Sequence, residues 1–322
     1  MAAIVKPIEG NDFEGFLSYS DWFRPFIQVF DEIIGFRPKD LEDFAVCEEI
    51  ICFFKAVEVL DTDLSLLGLF ENTYRAQNLH YIQTRTAPLN QFIQLIRKEM
   101  NGKEIKIAIR NRLKNCNSNL ASCRKLINGC FNTRGKLLVL RIDFGFKIPL
   151  DILNSVNQYN DLKKDFHTLD KLELLKQKIS QLLNNRRHNK ILNEIEGYIL
   201  KFEHGIKKGF HVHAIFILDG NKHCKDSYFA QQITEYWRKI TDDNGCTYNC
   251  HMAKRKYKKL GIGVIAHTDI EKRSTLDVCL EYLCKQDQYF IFQSLKRAKT
   301  IQISRPAKRR SNAGRPRQMS TQ

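Results

Sequence analysis

Residues 197–218 read GYILKFEHGIKKGFHVHAIFIL. The two ends are β-branched, aromatic and apolar, and the middle is rich in glycine and lysine. This pattern predicts a β-hairpin, with a strand over 197–203, a turn over 204–209 and a returning strand over 210–218. Side chains alternate between faces along a strand. His211, His213, Ile215 and Ile217 then share one face, and Phe210, Val212, Ala214 and Phe216 share the other. Ile199, Lys201 and Glu203 share a face of the first strand, and closing the turn brings Glu203 beside His211. Two imidazoles and a carboxylate with open coordination positions suit a divalent ion, Mg2+ or Mn2+, that must also meet a substrate oxygen. The plain alternative is a pair of histidines satisfied by backbone or acids within a sheet. Glu203 across the turn favours the ion.

Working outward, RGKLLVLRIDFGF (134–146) predicts an earlier strand with Arg141 and Asp143 as its polar members. Residues 149–195 read as helix in at least two pieces, with the basic NNRRHNK between them. After the hairpin, Asp226 and Ser227 cap a helix whose apolar stripe is Phe229, Ile233, Trp237 and Ile240. Strands follow within 242–252 and 260–270, and STLDVCLEYLCKQDQYF (274–290) reads as an amphipathic helix capped by Ser274. Five strands with covering helices predict an α+β domain built on a central antiparallel five-stranded sheet. Residues 1–130, with apolar positions at three- and four-residue spacing, read as a mostly helical region whose role the sequence leaves open. The expected domains are thus 1–130, the sheet domain 131–295 and a basic, flexible tail 296–322.

The net charge of +16 is unevenly spread. The first 70 residues hold 14 Asp and Glu against 5 Lys and Arg, whereas residues 296–322 hold 9 Lys and Arg and no acid. A basic body and tail suit a polyanionic partner. No apolar run approaches a membrane span, and no secretory signal opens the chain, so a cytoplasmic protein without a membrane partner is expected. The ten cysteines are then expected as thiols. Cys116, Cys123 and Cys130 recur as a helical seam. His223, Cys224, Cys246, Cys250 and His251 suggest zinc by residue type but lack a CxxC pair, so ordinary packing is the favoured reading.

The helix at 274–290 offers a second group of reactive side chains. Leu276, Leu280 and Leu283 form its buried stripe, and Tyr282 and Lys285, three residues apart, neighbour each other on another face. A phenol can attack a phosphodiester if a cation polarises the phosphorus and an ammonium steadies the developing charge. Tyr289, seven residues further on, is a candidate second nucleophile or a packing residue.

Taken in order, these motifs resemble those of the HUH endonucleases, the rolling-circle replication initiators, and more narrowly the YagK/YfjJ or inovirus-type replication proteins of phages and prophages. HVH at 211–213 is similar to the HUH motif, Glu203 to the acid before it, and YLCK at 282–285 to the YxxK tyrosine motif; the strand carrying Arg141 and Asp143 stands where the family's first motif would be. The resemblance covers about residues 131–295. It implies an HUH/Rep-type fold and a metal ion held by His211, His213 and Glu203. It also implies nicking of single-stranded or hairpin origin DNA by Tyr282 with Lys285, through a 5′-phosphotyrosine link that is later transferred. Arg141 and Asp143, with Arg309, Arg310, Arg315 and Arg317 of the tail, are the expected DNA contacts. The GRP core of that tail resembles an AT-hook, with a plain basic tail as the alternative. A bacterial cell, a phage- or prophage-borne element and a host helicase or polymerase as partner complete the expectation. Alternatives are an HUH transposase or relaxase and a non-catalytic DNA-binding regulator of the same fold. A nucleotide hydrolase of HxHxH type is disfavoured by Ile215 where a third histidine would stand.

Overall fold

The computed structural model describes residues 5–8, 15–19, 44–60, 75–76, 79–147, 169–205, 208–257, 260–285, 290–292 and 300–305. The architecture is α+β, and the chain divides into two compact units, Met1–Lys114 with Asp287–Lys296, and Asn115–Gln286 with Arg297–Gln322.

The first unit contains strands β1 (Val5–Ile8), β2 (Gly15–Tyr19), β3 (Phe44–Val46) and β4 (Arg75–Ala76). β1, β2 and β4 form a three-stranded sheet, and β3 pairs with the late segment Phe290–Phe292. Helices α1 (Glu48–Leu60) and α2 (Leu79–Met100) bury Phe53 against Phe92, edge to face at 5.2 Å. Arg112 of α3 (Lys103–Thr133) donates to both Glu48 and Glu49 at the start of α1. The region expected to be mostly helical therefore carries strands as well. They escape the periodicity because they are only two to five residues long.

The second unit is built on a six-stranded antiparallel sheet rather than the expected five. Its long strands are β5 (Lys136–Phe146), β6 (Ile195–Gly205) and β7 (Gly209–Asp219). The hairpin has the expected register, Glu203 opposite His211 and Lys201 opposite His213. Gly209 opens β7 at φ 63°, a left-handed conformation open to glycine at little steric cost. β5 pairs with β7 on one edge and shares its other edge between β8 (Gly245–Asn249) and β9 (Gly263–Ala266). The sixth strand corrects the tail boundary: Ile301–Ile303 pairs with β6, opposite Ile199 to Lys201. Three residues with apolar ends can complete the open edge of β6 even inside a basic segment.

Each sheet face has its own cover. On one, Ile199, Ile215 and Ile217 pack with Leu137 and Val139 against α3 and the helix Ile270–Cys284. On the other, Trp237 of the helix Asp226–Ile240 lies 5.0 Å from Phe144, which lies 6.1 Å from Phe216. The Trp237 indole donates to the Gly145 carbonyl at 3.2 Å. Fully buried side chains of this kind are each worth about 1.5–3 kcal/mol, so the hairpin is held from both sides. The expected stripe Phe229, Ile233, Trp237 and Ile240 is the buried one.

The helices between are α4 (Leu169–Asn184), the short α5 (Lys190–Asn193) capped by Asn189, α6 (Asp226–Ile240) and α7 (Ile270–Cys284). α7 differs from expectation at both ends. It starts four residues before Ser274, with Asp269 accepting the Lys272 amide at 3.0 Å as its cap. It stops at Cys284, and Lys285 is already extended, so the helix does not run on to residue 290. Among the described residues no helix is long and apolar enough to cross a membrane.

Candidate metal centre

Four strands lay their polar residues side by side on the face that α7 covers. Lys201, His213, Asp143 and Tyr248 stand directly opposite one another across β6, β7, β5 and β8. One row nearer the turn come Glu203 and His211. The apolar rows behind them, with Ile199 and Ile215, belong to the core. The site is thus the open end of a surface whose other end is packed shut.

The two imidazoles are T-shaped to each other, with centroids 4.9 Å apart. The His213 Nε2 atom is 3.2 Å from Glu203 Oε2, and the His211 Nε2 atom is 3.8 Å from the same oxygen. The other ring nitrogens are anchored. His211 Nδ1 meets the Gly209 carbonyl at 3.0 Å, and His213 Nδ1 faces Asp143 Oδ1 at 2.7 Å. A partner facing Nδ1 orients each ring and aims its Nε2 edge at the third ligand. Ligand atoms of Glu203, His211 and His213 all lie within 4.8 Å of one another, the one such group of three among the described residues. This triad could hold a metal ion.

The electrostatics fit that donor set. Burial works against charge on His213, yet the Asp143 and Glu203 carboxylates outweigh it and push its pKa up to about 9. Burial lowers the pKa of His211, and the charge on His213 adds to that. Burial opposes ionisation of Glu203, but His213, His211 and Lys201 together hold it below the usual carboxylate range. The two carboxylates that flank His213 thus favour its charged form in the ion-free protein. His213 Nδ1 and Asp143 Oδ1 are buried and close, yet not aligned for a linear hydrogen bond.

Arg141 and Asp143, expected as DNA contacts, are largely buried within the site, their side chains 14% and 18% exposed. Arg141 Nε is 3.8 Å from Asp143 Oδ1, and its guanidinium carbon lies 5.4 Å from the centroid of the Tyr282 ring. A cation over a ring face attracts it and limits its swing. A path of contacts thus runs from His213 through Asp143 and Arg141 to Tyr282, whose phenol is 56% exposed. Lys285, expected beside Tyr282 on the helix, is exposed and lies past the helix end, where its backbone amide donates to Glu281 at 2.9 Å. Tyr289, Arg309, Arg310, Arg315 and Arg317 lie outside the described residues.

The residues weighed for zinc do not converge. His223 Nε2 is 2.7 Å from Glu194, Cys224 and Cys246 are exposed, and Cys250 is buried. His251 uses both ring nitrogens: Nε2 accepts the Arg141 amide at 3.1 Å, and Nδ1 faces Asp226 at 3.2 Å. Tyr248 and Tyr257 border the centre and are not marked by the strand pattern. The signal for them is the run KRKYKK at 254–259, basic with a single tyrosine.

No curated protein and no solved structure matches this chain. A family model does: the YagK/YfjJ C-terminal domain matches residues 96–299, more than half of the chain. The matched span includes β5 to β9, the histidine hairpin and the helix that carries Tyr282. The chain therefore belongs to the YagK/YfjJ C-terminal domain family.

Proposed function

We infer that the protein is an HUH-type endonuclease and strand transferase that nicks single-stranded origin DNA and starts rolling-circle replication of a phage, prophage or plasmid. The observation that carries this reading is the pairing of two Nε2 edges with Glu203 on one sheet face, with an exposed tyrosine tied to that face through Arg141. His211, His213 and Glu203 would hold a divalent ion, Mg2+ or Mn2+, which when bound polarises a phosphate and draws charge from it. Asp143 holds the His213 ring. Arg141 holds the Tyr282 ring and brings positive charge to the phenol oxygen as its proton leaves.

The Tyr282 oxygen attacks phosphorus, the bond to the 3′ oxygen breaks, and that oxygen takes up a proton and departs as a free 3′ hydroxyl. The strand's 5′ phosphate stays on Tyr282. The reverse attack by a 3′ hydroxyl on that phosphotyrosine rejoins a strand and frees the phenol. Lys285 serves as a phosphate contact at the mouth, and the basic tail adds affinity through phosphates.

The test is incubation with labelled single-stranded origin DNA and Mn2+. A covalent adduct is expected, absent in EDTA and in Tyr282→Phe. An adduct that persists in Tyr282→Phe moves the nucleophile. Metal-independent DNA binding with no adduct on any origin strand would instead support a non-catalytic regulator.

A further inference from the structure

We propose that β8 and the turn after it form a stacking platform for unpaired bases, over which single-stranded DNA enters the metal centre. This rests on the nuclease reading for its direction but not for its chemistry. Tyr248 lies in the same cross-strand row as His213 and Asp143. At two strand spacings, its backbone is about 10 Å from that of His213. It projects from an edge strand and is 47% exposed. Large aromatic rings on a sheet are ordinarily covered, and this one stands open beside the site.

Tyr257 joins it from the following turn. Its hydroxyl lies near the Cys250 thiol and the Tyr248 hydroxyl, and its side chain is 36% exposed. Between the rings in sequence lies the 3₁₀ turn Lys254–Lys256. Lys254 is paired with Asp226, whereas Arg255 and Lys256 are exposed and make no ion pair among the described residues. Met252, 75% exposed, adds a soft apolar surface beside them.

Rings and cations in this arrangement suit single-stranded nucleic acid. Bases stack on aromatic side chains irrespective of sequence while Lys and Arg follow the phosphates. A duplex fits less well, because its base faces are already stacked on each other. The polar neighbours on the other side of the centre, Lys201 and Glu203, offer no ring, so the strand is placed on the β8 side.

The experiment measures binding of a labelled mixed-sequence single-stranded oligonucleotide by fluorescence anisotropy, with the full-length protein in EDTA. Tyr248→Ala is expected to weaken binding about tenfold, while Tyr248→Phe and Tyr248→Trp bind like the parent. In Arg255→Ala/Lys256→Ala, the salt dependence of log Kd should fall by about 1.4. Affinity within twofold of the parent in Tyr248→Ala would overturn the proposal. So would an equal loss in Tyr248→Phe, or an equal loss of duplex binding. The nuclease reading fails separately. If the parent forms no Mn2+-dependent adduct but Tyr248→Ala still weakens binding, the platform stands and the nuclease reading falls. If the adduct forms at the parent rate in Tyr248→Ala at subsaturating DNA, the platform falls and the nuclease reading stands.

Discussion

Two buried histidine–carboxylate groups, one on the sheet and one in the turn after β8, differ in what their ring nitrogens face. At one, His213 faces Asp143 through Nδ1 and Glu203 through Nε2. At the other, His251 faces Asp226 through Nδ1, but its Nε2 is taken by the backbone amide of Arg141. Asp226 is already neutralised by Lys254. The second group offers no converging edges, since Nε2 already accepts a backbone amide and Nδ1 faces a carboxylate that Lys254 pairs. The first has two imidazole edges converging on one carboxylate, with a second carboxylate, Asp143, behind His213. Residue type does not separate the two groups; what does is whether the backbone has already claimed the second nitrogen.

The largest effect should come from exchanging which histidine is removed. His211→Ala or His213→Ala should weaken Mn2+ binding by at least about 100-fold, beyond the range of an outer-shell partner, as read by calorimetry or by the electron spin signal of free Mn2+. His251→Ala should leave Mn2+ binding unchanged and instead lower the unfolding free energy by about 2–3 kcal/mol, because it strands a buried amide. Equal metal loss in His251→Ala would erase the distinction. A smaller effect is expected from Asp143→Asn, which keeps the shape and removes the charge behind His213. Mn2+ affinity should drop about 10–100-fold with the triad intact, and an unchanged affinity would leave Asp143 without a positioning role.

The smallest effect is the most diagnostic in sign. His213 in the ion-free protein has its pKa raised from the ordinary 6.5 to about 9. Its stabilising contribution, at most about 3 kcal/mol, is therefore complete below pH 6.5 and lost as pH rises toward 9. Burial lowers the pKa of His251 despite Asp226, so its contribution runs the other way and is lost as pH falls. Denaturant titrations of the ion-free protein should show stability declining between pH 6.5 and 9 in the parent and a flatter profile in Asp143→Asn. Mn2+ should restore the alkaline side and release about one proton on binding at neutral pH. A parent profile flat from 6.5 to 9 would contradict the charged state of His213.

Much of the site can be read in the chain. Alternation along 197–218 places His211, His213 and Glu203 on one face, and the strand register agrees. The apolar stripe of α6 follows equally from local spacing. Other features are not legible. Asp143 lies 70 residues from His213, and their contact depends on β5 choosing β7 as its neighbour. Arg141 looks like a surface DNA contact until β8, α7 and the Arg141–Tyr282 contact enclose it. The strand Ile301–Ile303 sits in a tail whose composition predicts no structure, and only the vacant edge of β6 gives it a partner. α7 ends at Cys284, so helical periodicity no longer relates Tyr282 to Tyr289.

The sequence by itself determined the hairpin, the faces of its side chains and the three ligand candidates, because alternation and a short turn are local properties of consecutive residues. Tertiary structure decided which imidazole nitrogens stay available, which carboxylate stands behind His213, and where Tyr282 and Tyr248 lie relative to them. Those depend on strands and a helix meeting from distant parts of the chain. The geometry that results, not the residue types alone, distinguishes a triad that could hold an ion from a histidine whose nitrogens already face partners in the fold.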